Sequence, residues 1–377
     1  MTKKILYFIS EDWFFCSHFI ERAVAARAAG YEVVVVTREK SHGQRIRDAG
    51  LKLIPIAFER RSVNPLRELW LMQTLYRIYA RERPDIVHHA SAKHIFYGTA
   101  VARLLGIRAV VNAPIGMGYV FSSSDTKAKI LRPLIKLAYR LLLNPKGSRV
   151  IFENATDLNT FVHSGVARSE DTVLIRGAGI DLKAFQPHPE PTGVPVVMLI
   201  ARMLRDKGVM EFLGAAELLH ASGTAARFVL VGDRDPSNPA SISAETLRSW
   251  NGRSGVEWWG WKADIAAALR QAHIACLPSY REGLPKSLLE AAACGLPIVT
   301  TDAIGCRDVV EDGVNGYLVP VKEVAPLAAA VQKLIDNPGL RMAMGQKGRL
   351  RAETDFSSER VIAETMAVYA QLGTTQP

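Results

Sequence analysis

Short apolar runs alternate with helical segments along this chain, and that alternation constrains its fold more than any other feature. In the first half, KILYFIS, YEVVVVT, LKLIPIAF, DIVHH and RAVVNAPIG are separated by stretches with helical spacing. Continuous Val, Ile and Leu runs that alternate with helices are typical of parallel sheets covered on both faces. The sequence therefore predicts an α/β, doubly wound architecture.

The same pattern restarts after the Pro-rich stretch QPHPEPTGVP, with PVVMLIA, ARFVLVG, GVEWWG, HIACLPS and LPIVTT. The 377 residues exceed what one hydrophobic core usually supports, so two domains are expected. We predict Rossmann-like domains over 1–185 and 186–377, with the Pro-rich stretch as the linker. A final helix over 357–372 is expected to pack back on the first domain. Two such domains would face each other across a cleft at the carboxyl ends of their sheets.

Composition limits the class of protein and of partner. Hydrophobic residues make up 48% and charged residues 22%, which is typical of a globular protein. The start MTKKILYFISEDW is too quickly acidic for a secretory signal, so we expect a cytoplasmic location. Four scattered cysteines without a Cys-x-x-Cys pair predict reduced thiols and no zinc site. The net charge of +10 favours an anionic partner, and no nucleic-acid-binding motif is present.

The most informative segment is PSYREGLPKSLLEAAACGLPIVTT. It predicts a strand, a loop with Glu282 and Gly283, and a helix that Pro285 opens. Glu290 follows Glu282 by about two helical turns. This spacing favours binding of two separate hydroxylated groups of one extended ligand over general acid/base catalysis at one bond. Backbone amides at the helix start, from Gly283 and Leu284, can accept a phosphate.

This segment resembles the Glu-x7-Glu signature of the family 4 retaining glycosyltransferases, which adopt the GT-B fold. IARMLRDKG resembles the family's diphosphate-binding stretch and would place Arg202 and Lys207 on the leaving diphosphate. VEWWGWKADI resembles the turn that packs on the nucleotide base, at Gly260 and Trp261. GAGIDLKAF and EDGVNGYLVP match further family elements, and EDWFFCSHF and IGMGYVF look like members that build bacterial polysaccharides.

The resemblance implies a function and a role for each matched residue. Glu282 would bind sugar hydroxyls, Glu290 would bind ribose hydroxyls, and the two cations would stabilise the diphosphate as the glycosidic bond breaks. The implied donor is a nucleotide-diphosphate sugar, most simply a UDP-sugar, and no metal or other cofactor is expected. The implied acceptor is a polyprenyl-diphosphate-linked saccharide of surface polysaccharide synthesis, and the implied stereochemistry is retention.

The acceptor side departs from the family pattern. Ile115 stands where members often have a His, and only His88 remains of the common His-x-His. The group that activates the acceptor therefore stays open, and the departing phosphate oxygen could itself take the proton. His88, His18, Gly116 and Gly118 are the acceptor-side candidates.

Each candidate also has a simpler interpretation. Glu290 could be a solvated helix residue, and Arg202 and Lys207 could be ordinary surface ion-pair partners. His88 could be a hydrogen-bonded structural histidine. The aromatic cluster Trp258, Trp259 and Trp261 is more typical of a domain core than of a base-stacking platform, and only Trp261 is assigned a ligand role.

The segment TKAKILRPLIKLAYRLLLNPKG predicts an amphipathic helix. Its cations recur at helical spacing beside aliphatic residues; they are Lys129, Arg132, Lys136 and Arg140. This pattern favours peripheral binding to the anionic inner surface of the cell membrane. The alternative is a helix packed on the first domain with its basic face in water. Pro133 predicts that the helix begins later than this basic stripe.

Two other functions remain open on the same fold. A nucleotide-sugar epimerase or hydrolase would consume the donor with no acceptor present. A catalytically silent nucleotide-sugar-binding subunit would bind UDP without turnover, and Ile115 favours it. A dinucleotide-dependent oxidoreductase is disfavoured because no Gly-x-Gly-x-x-Gly follows the first strand.

Overall fold

The computed structural model describes residues 2–57, 64–115, 126–236 and 238–374, with the side chains of 126–132 and 374 left out of the description. The chain divides into two compact units. Unit 1 comprises Met1–Ala178 with Glu359–Pro377, and unit 2 comprises Gly179–Ser358. Within the described ranges, no helix has the length and apolarity needed to cross a bilayer.

Unit 1 is built on a seven-stranded parallel sheet in the order β3-β2-β1-β4-β5-β6-β7. Its strands are β1 (Lys4–Glu11), β2 (Glu32–Arg38), β3 (Lys52–Pro55), β4 (Ile86–Ala90), β5 (Ala109–Ala113), β6 (Arg149–Phe152) and β7 (Thr172–Leu174). Strands β4 and β5 are buried along their whole length and β1 is buried from Ile5 onward, as the continuous apolar runs predict.

Helices cover both faces of this sheet. They are α1 (Asp12–His18), α2 (Ile20–Ala28), α3 (Gly43–Asp48), α4 (Pro65–Glu82), α5 (Ala92–Leu104), α6 (Thr126–Leu142), α7 (Ala155–His163) and, at the end of the chain, α14 (Ser358–Thr374). Tyr7 of β1 faces the core under α1, α2 and α14, while Phe8 faces the core under α4 and α5. Alternate residues of each strand thus pack against the helices on opposite faces of the sheet.

Helix α4 has clear end signals. Asn64 caps it by accepting hydrogen bonds from the amides of Leu66 and Arg67, and Pro65 occupies the first turn, where its missing N–H costs nothing. Helix α6 runs without interruption past Pro133, so the prediction of a later start is wrong. A proline removes one hydrogen bond of the helix, and packing of Ile135 and Tyr139 in the core of unit 1 stabilises the rest.

Unit 2 repeats the design with a six-stranded parallel sheet in the order β10-β9-β8-β11-β12-β13. Its strands are β8 (Val196–Ile200), β9 (Arg227–Val231), β10 (Val256–Gly260), β11 (Ile274–Leu277), β12 (Ile298–Thr301) and β13 (Gly316–Val319). Its helices are α8 (Val209–Ala221), α9 (Ala244–Trp250), α10 (Ile265–Leu269), α11 (Lys286–Ala293), α12 (Val324–Asp336) and α13 (Pro338–Asp355).

The Pro-rich stretch is part of unit 2 and not a linker. Arg341 of α13 donates through Nε to Glu190 over 2.8 Å, and His273 donates through Nε2 to the carbonyl of Pro191 over 3.0 Å. An extended segment with few N–H groups can still be held through its carbonyls and its one carboxylate. The division between the units therefore falls after Ala178, several residues before the boundary expected at 185.

Helix α14 joins the end of the chain to the first strand. The Tyr369 hydroxyl lies 2.7 Å from the Tyr7 hydroxyl, and Lys3 donates to the carbonyl of Gly373 over 2.7 Å. The helix begins at Ser358, whose amide bonds to Ile180 in unit 2, but its remaining residues group with unit 1.

Candidate active site

The switch point of unit 2 lies between β8 and β11, because successive connections run in opposite directions from this pair of strands. In such sheets the loops leaving the carboxyl ends diverge at the switch point and open a crevice for a ligand. Lys207 ends a short 3-10 turn, Arg205–Lys207, that follows β8, and Glu282 lies in the loop that follows β11. The topology thus brings together two residues far apart in the sequence.

Lys207 and Glu282 form a close ion pair. The ammonium of Lys207 lies 2.5 Å from Oε1 and 2.7 Å from Oε2 of Glu282. The side chains are only 18% and 11% exposed, so the pair is less screened than one on an open surface. An anion entering this crevice would compete with Glu282 for the ammonium and leave the carboxylate available to hydroxyl donors.

Backbone contacts hold the two loops in register. The amide of Tyr280 donates to the carbonyl of Asp206 over 2.9 Å, and the hydroxyl of Ser279 donates to the same carbonyl over 3.1 Å. The amide of Glu282 donates to the carbonyl of Ile304, in the loop after β12, over 2.9 Å. Three loops at the carboxyl edge are therefore linked around the ion pair.

Two glycines make this close approach possible, and sequence reasoning missed both. Gly208 has φ of +74°, and a Cβ there would lie 2.0 Å from the carbonyl oxygen of Pro278. Gly305 has φ of +83°, and a Cβ there would lie 2.6 Å from the carbonyl oxygens of Glu282 and Gly283. Only glycine fits at either position. The Lys-Gly pair after an apolar strand was the available signal for Gly208.

Arg202 follows β8 but is engaged elsewhere. Its Nη1 lies 2.7 Å from Oδ2 of Asp235, in the loop after β9, and its side chain is well exposed. In this structure Arg202 is therefore an ion-pair partner of Asp235, as the simpler interpretation of this residue expects. Asp235 is a third residue that sequence reasoning missed, because nothing in its local sequence indicates that Arg202 is its neighbour.

Glu290 lies on α11 and is only 8% exposed, so its interpretation as a solvated residue is wrong. Burial raises the pKa of its carboxyl to about 7, and nearby Lys286 acts in the opposite direction. Near neutral pH the carboxyl is therefore present in both protonation states. It can donate as well as accept a hydrogen bond with a hydroxylated ligand.

The start of α11 combines backbone amides with the half-exposed side chains of Lys286 and Ser287. Pro285 is the cap residue, and the helix begins at Lys286. The Leu284 side chain is buried in the core of unit 2, so a ligand could meet this residue only through its main chain. Gly283 is half-buried in the loop just before it.

Gly260 and Trp261 lie at the carboxyl end of β10, an outer strand two positions from β8. Gly260 has φ of +66°, and its carbonyl accepts from the amide of Gly232 over 2.8 Å. Trp261 is well exposed, whereas Trp258 and Trp259 pack against the core of unit 2, which confirms their interpretation as core residues. Trp261 is the most exposed of the three side chains and can offer a ring face to a ligand.

His88 does not lie where an acceptor could reach it, and this corrects its interpretation as a cleft residue. It is fully buried in β4, its Nδ1 lies 2.7 Å from the Tyr369 hydroxyl, and its ring stacks on that of Tyr7. Burial, together with Arg22, holds its pKa well below the usual range. Side chains alternate between the two faces of the sheet along β4, and that of His88 points toward α14. His88 is therefore a neutral structural histidine.

We expect Tyr369→Phe to lower the free energy of unfolding by about 1–3 kcal/mol, because His88 and Tyr7 would both lose a buried hydrogen-bond partner. Urea denaturation of the two proteins measures the difference. Assayed below its own melting temperature, His88→Asn should keep turnover of the reaction that the resemblance implies within a few fold of the wild type. A loss of turnover in folded His88→Asn would restore a catalytic role.

The structure says less about the remaining acceptor-side candidates, which are His18, Gly116 and Gly118. His18 is half-buried in the last turn of α1, with its ring 4.3 Å from that of Phe14. Gly116 and Gly118 lie outside the described residues. Ile115 is half-buried and packs against the core of unit 1, so its side chain takes a packing role.

Ser91 is a residue of unit 1 that sequence reasoning missed. It follows β4 at the switch point between β1 and β4 and has φ of +76° and ψ of 156°, a conformation that L-residues rarely adopt. Its hydroxyl lies 2.8 Å from Nδ1 of His94. Nothing in HHASAKH signals this backbone geometry.

All four cysteines are buried and unbonded. Burial raises the pKa of the Cys306 thiol to about 12, so this thiol stays protonated although it lies near Lys207. Among the residues that the structure describes, no three His, Cys, Asp or Glu side chains are grouped as metal ligands would be.

Two family models together match most of the chain. A family model described as "Glycosyl transferase 4-like" matches residues 4–154, and one described as "Glycosyl transferases group 1" matches residues 194–337. The chain is 31% identical over 328 residues to the N,N'-diacetylbacillosaminyl-diphospho-undecaprenol alpha-1,3-N-acetylgalactosaminyltransferase of Campylobacter jejuni, covering 84% of this chain and 85% of that protein. It is 24% identical over 328 residues to the UDP-Gal:alpha-D-GlcNAc-diphosphoundecaprenol alpha-1,3-galactosyltransferase of Escherichia coli, covering 83% and 82%.

Solved structures with the same fold include sucrose-phosphate synthase from Thermosynechococcus elongatus, with a TM-score of 0.80, 20% identity and coverage of 99% of this chain and 100% of that one. Anabaena HepE in complex with UDP and glucose has a TM-score of 0.78, 18% identity and coverage of 98% and 99%. These matches confirm the predicted α/β fold with two Rossmann-like units, the GT-B fold. The chain therefore belongs to the GT-B glycosyltransferases of the group 1 and 4-like families.

Proposed function

We propose that this glycosyltransferase moves a hexose or N-acetylhexosamine from a UDP-sugar to a polyprenyl-diphosphate-linked saccharide, with retention, in surface polysaccharide synthesis. The observation that carries the donor half of the proposal is the contact of Lys207 with Glu282 at the switch point of unit 2. The names of the Campylobacter and Escherichia relatives, which both include an undecaprenol diphosphate, support the acceptor half.

The residues of unit 2 then take the following roles. Lys207 and Arg202 bind the diphosphate, helped by main-chain amides around Gly283 and Leu284 at the start of α11. Glu282, released from Lys207, accepts from sugar hydroxyls, and Glu290 binds the ribose. Trp261 packs on the base beside Gly260. Fixed positive groups at the diphosphate stabilise the charge that develops there, so the proposal needs no metal or other cofactor.

In the transfer step, the bond between the anomeric carbon and the diphosphate oxygen breaks, and the electron pair leaves with the diphosphate. The acceptor oxygen bonds to the same face of the anomeric carbon, and its proton passes to the departing phosphate oxygen. Unit 1 would bind the acceptor. Because His88 is buried, the proposal assigns the proton to the leaving group and not to this side chain.

The test is release of UDP with and without an acceptor. Purified protein is incubated with UDP-, GDP- and ADP-sugars, alone and with a short-chain polyprenyl-diphosphate saccharide. We expect UDP release only when acceptor is present and an α-linked product from an α-linked donor. Donor consumption without acceptor would favour the epimerase or hydrolase, and UDP binding without turnover would favour the silent subunit.

Helix α6 supports a peripheral site on the inner face of the cell membrane. Leu134, Leu137 and Leu141 are exposed along it, and Lys136 and Arg140 lie exposed beside them. No acidic residue occurs in the sequence of α6. A helix that only packed on unit 1 would place its leucines inside, whereas these leucines face outward. The arrangement suits the boundary of an anionic bilayer, where each cation adds about 1 kcal/mol.

We expect Lys136→Glu/Arg140→Glu to weaken binding to vesicles rich in phosphatidylglycerol by at least about 30-fold, because two cations near the surface are lost and two anions are gained. Flotation through a sucrose gradient measures the bound fraction. Arg248→Glu/Arg253→Glu, two exposed arginines of unit 2, is the matched control and should bind as the wild type does. Equal binding of both variants would contradict the membrane role of α6.

A further inference from the structure

The outward face of α4 is apolar, and the proposed function leaves it unexplained. Leu66, Leu69 and Trp70 in its first two turns are 78%, 57% and 52% exposed, and Tyr76 is exposed further along. Residues three and four positions apart lie side by side on a helix, so the first three form one patch. Large apolar side chains grouped on a surface are typical of an interaction site.

The other side of α4 is already used for folding. It packs on Leu6 and Phe8 of the sheet through a second stripe of residues, namely Leu71, Leu75, Ile78 and Tyr79. The helix thus has two apolar faces at different angles around its axis. The outward face takes no part in the core that attaches α4 to unit 1, so the folding of unit 1 does not explain it.

The charges on α4 are arranged asymmetrically. Its two acidic residues are turned toward the protein: Glu68 accepts from Lys93 over 2.8 Å and from the Tyr97 hydroxyl over 2.6 Å, and Glu82 is buried. The exposed charged side chains of α4 are all arginines, namely Arg67, Arg77 and Arg81. The outward surface therefore combines apolar and cationic groups.

Helices α4, α5 and α6 belong to one layer of unit 1. Helix α5 contacts both of the others, and all three cover the face of the sheet opposite α2. Helices α4 and α6 run in the same direction, because each follows a strand that ends at the carboxyl edge. The sequences of α5 and α6 contain no acidic residue. The outward faces of α4 and α6 thus lie on the same side of unit 1 and have the same chemistry.

We propose that α4 is a second membrane-contacting surface of this protein, and that its partner is the interface of an anionic bilayer. Leu66, Leu69 and Trp70 enter the boundary between headgroups and acyl chains, where tryptophan is favoured. Arg67 and Arg77 contact anionic headgroups. Two helices separated by α5 fix the orientation of unit 1 on the membrane, which one helix alone would leave free to roll. The inference rests on the peripheral membrane site proposed for α6.

The first experiment is flotation of the whole protein with phosphatidylglycerol vesicles. We expect Leu69→Glu/Trp70→Glu to lower the vesicle partition coefficient by about 10-fold or more, because apolar area is lost and two anions are gained. Val24→Glu is the matched control, since Val24 is an exposed aliphatic residue of α2 on the opposite face of the sheet. It should bind like the wild type, and circular dichroism checks that each variant is folded.

The second experiment reports the depth of Trp70. Vesicles with brominated acyl chains quench the fluorescence of tryptophans that enter the bilayer. The chain has six tryptophans, so the wild type is compared with Trp70→Phe, which keeps the apolar surface and should still bind. We expect the quenching to be lost in Trp70→Phe although its flotation is retained. Equal quenching in both proteins would overturn the proposal.

The outcomes separate this inference from the proposal on which it rests. Suppose that charge reversal in α6 abolishes flotation but Leu69→Glu/Trp70→Glu floats like the wild type. That result would overturn the role of α4 and leave the role of α6 intact. No binding of the wild type would overturn both. If Leu69→Glu/Trp70→Glu instead changed only the sedimentation of the protein without vesicles, the face would be a contact between copies of this chain and the lipid proposal would fail.

Discussion

Lys207→Ala is expected to lower kcat/KM for acceptor-dependent UDP release by about 10²–10³-fold. Removing one fixed donor aimed at charge that develops in a transition state has a cost of that size. The structure adds a second reason, because Lys207 is the cation that contacts both carboxylate oxygens of Glu282. Without it, Glu282 would present a negative charge to the incoming diphosphate.

The contact between Lys207 and Glu282 also predicts strong coupling. The single variants Lys207→Ala and Glu282→Ala and the double variant form a cycle, and we expect their losses to be clearly non-additive because the two side chains touch. Arg205→Ala, in the same 3-10 turn, is the matched control and should stay within a few fold of the wild type. Full turnover of Arg202→Ala/Lys207→Ala would contradict the assignment of the diphosphate site.

Unfolding measured against pH should reveal the buried carboxyl of Glu290. Its pKa is raised from 4.5 to about 7 in the folded protein, so the folded state binds the proton more tightly than the unfolded state. The stability from the protonated form is complete below pH 4.5 and is lost as the pH rises through 7. Relative to Glu290→Gln, the wild type should lose about 3 kcal/mol of free energy of unfolding across this interval.

Urea denaturation of both proteins at several pH values measures the difference. Glu217→Gln is a control for a glutamate exposed on α8, and its stability should follow that of the wild type at each pH. Parallel curves for the wild type and Glu290→Gln would show that the Glu290 carboxyl ionises normally. The ribose role proposed for this residue would then need a different electrostatic basis.

Several elements could be predicted from the sequence because their signals are local. Alternation of apolar runs with helical spacing predicts both doubly wound sheets, and the Pro285 segment predicts a strand, loop and helix with Glu290 on the helix. The position of Lys207 just after an apolar strand also predicts its place at a carboxyl edge. These features depend on residues within one or two turns of each other.

Other features depend on partners that are distant in the sequence. The Pro-rich stretch has the composition of a linker, but Arg341 and His273 bind it to unit 2. Among the positions proposed for the acceptor, His88 ends an apolar strand as a cleft residue would, but Tyr369 of α14 covers it. Neither Arg341 nor Tyr369 can be identified as a neighbour from the local sequence.

The sequence by itself determined the two parallel sheets and the helix that carries Glu290, because periodicity and spacing are properties of short segments. It also placed Lys207 and Glu282 beyond the carboxyl ends of their strands. Only the tertiary structure decided that Lys207 meets Glu282, that His88 is enclosed and that α4 keeps an apolar face outward. Each of these depends on which strands become neighbours and which helix covers them, and that choice is made by the packing of the whole chain.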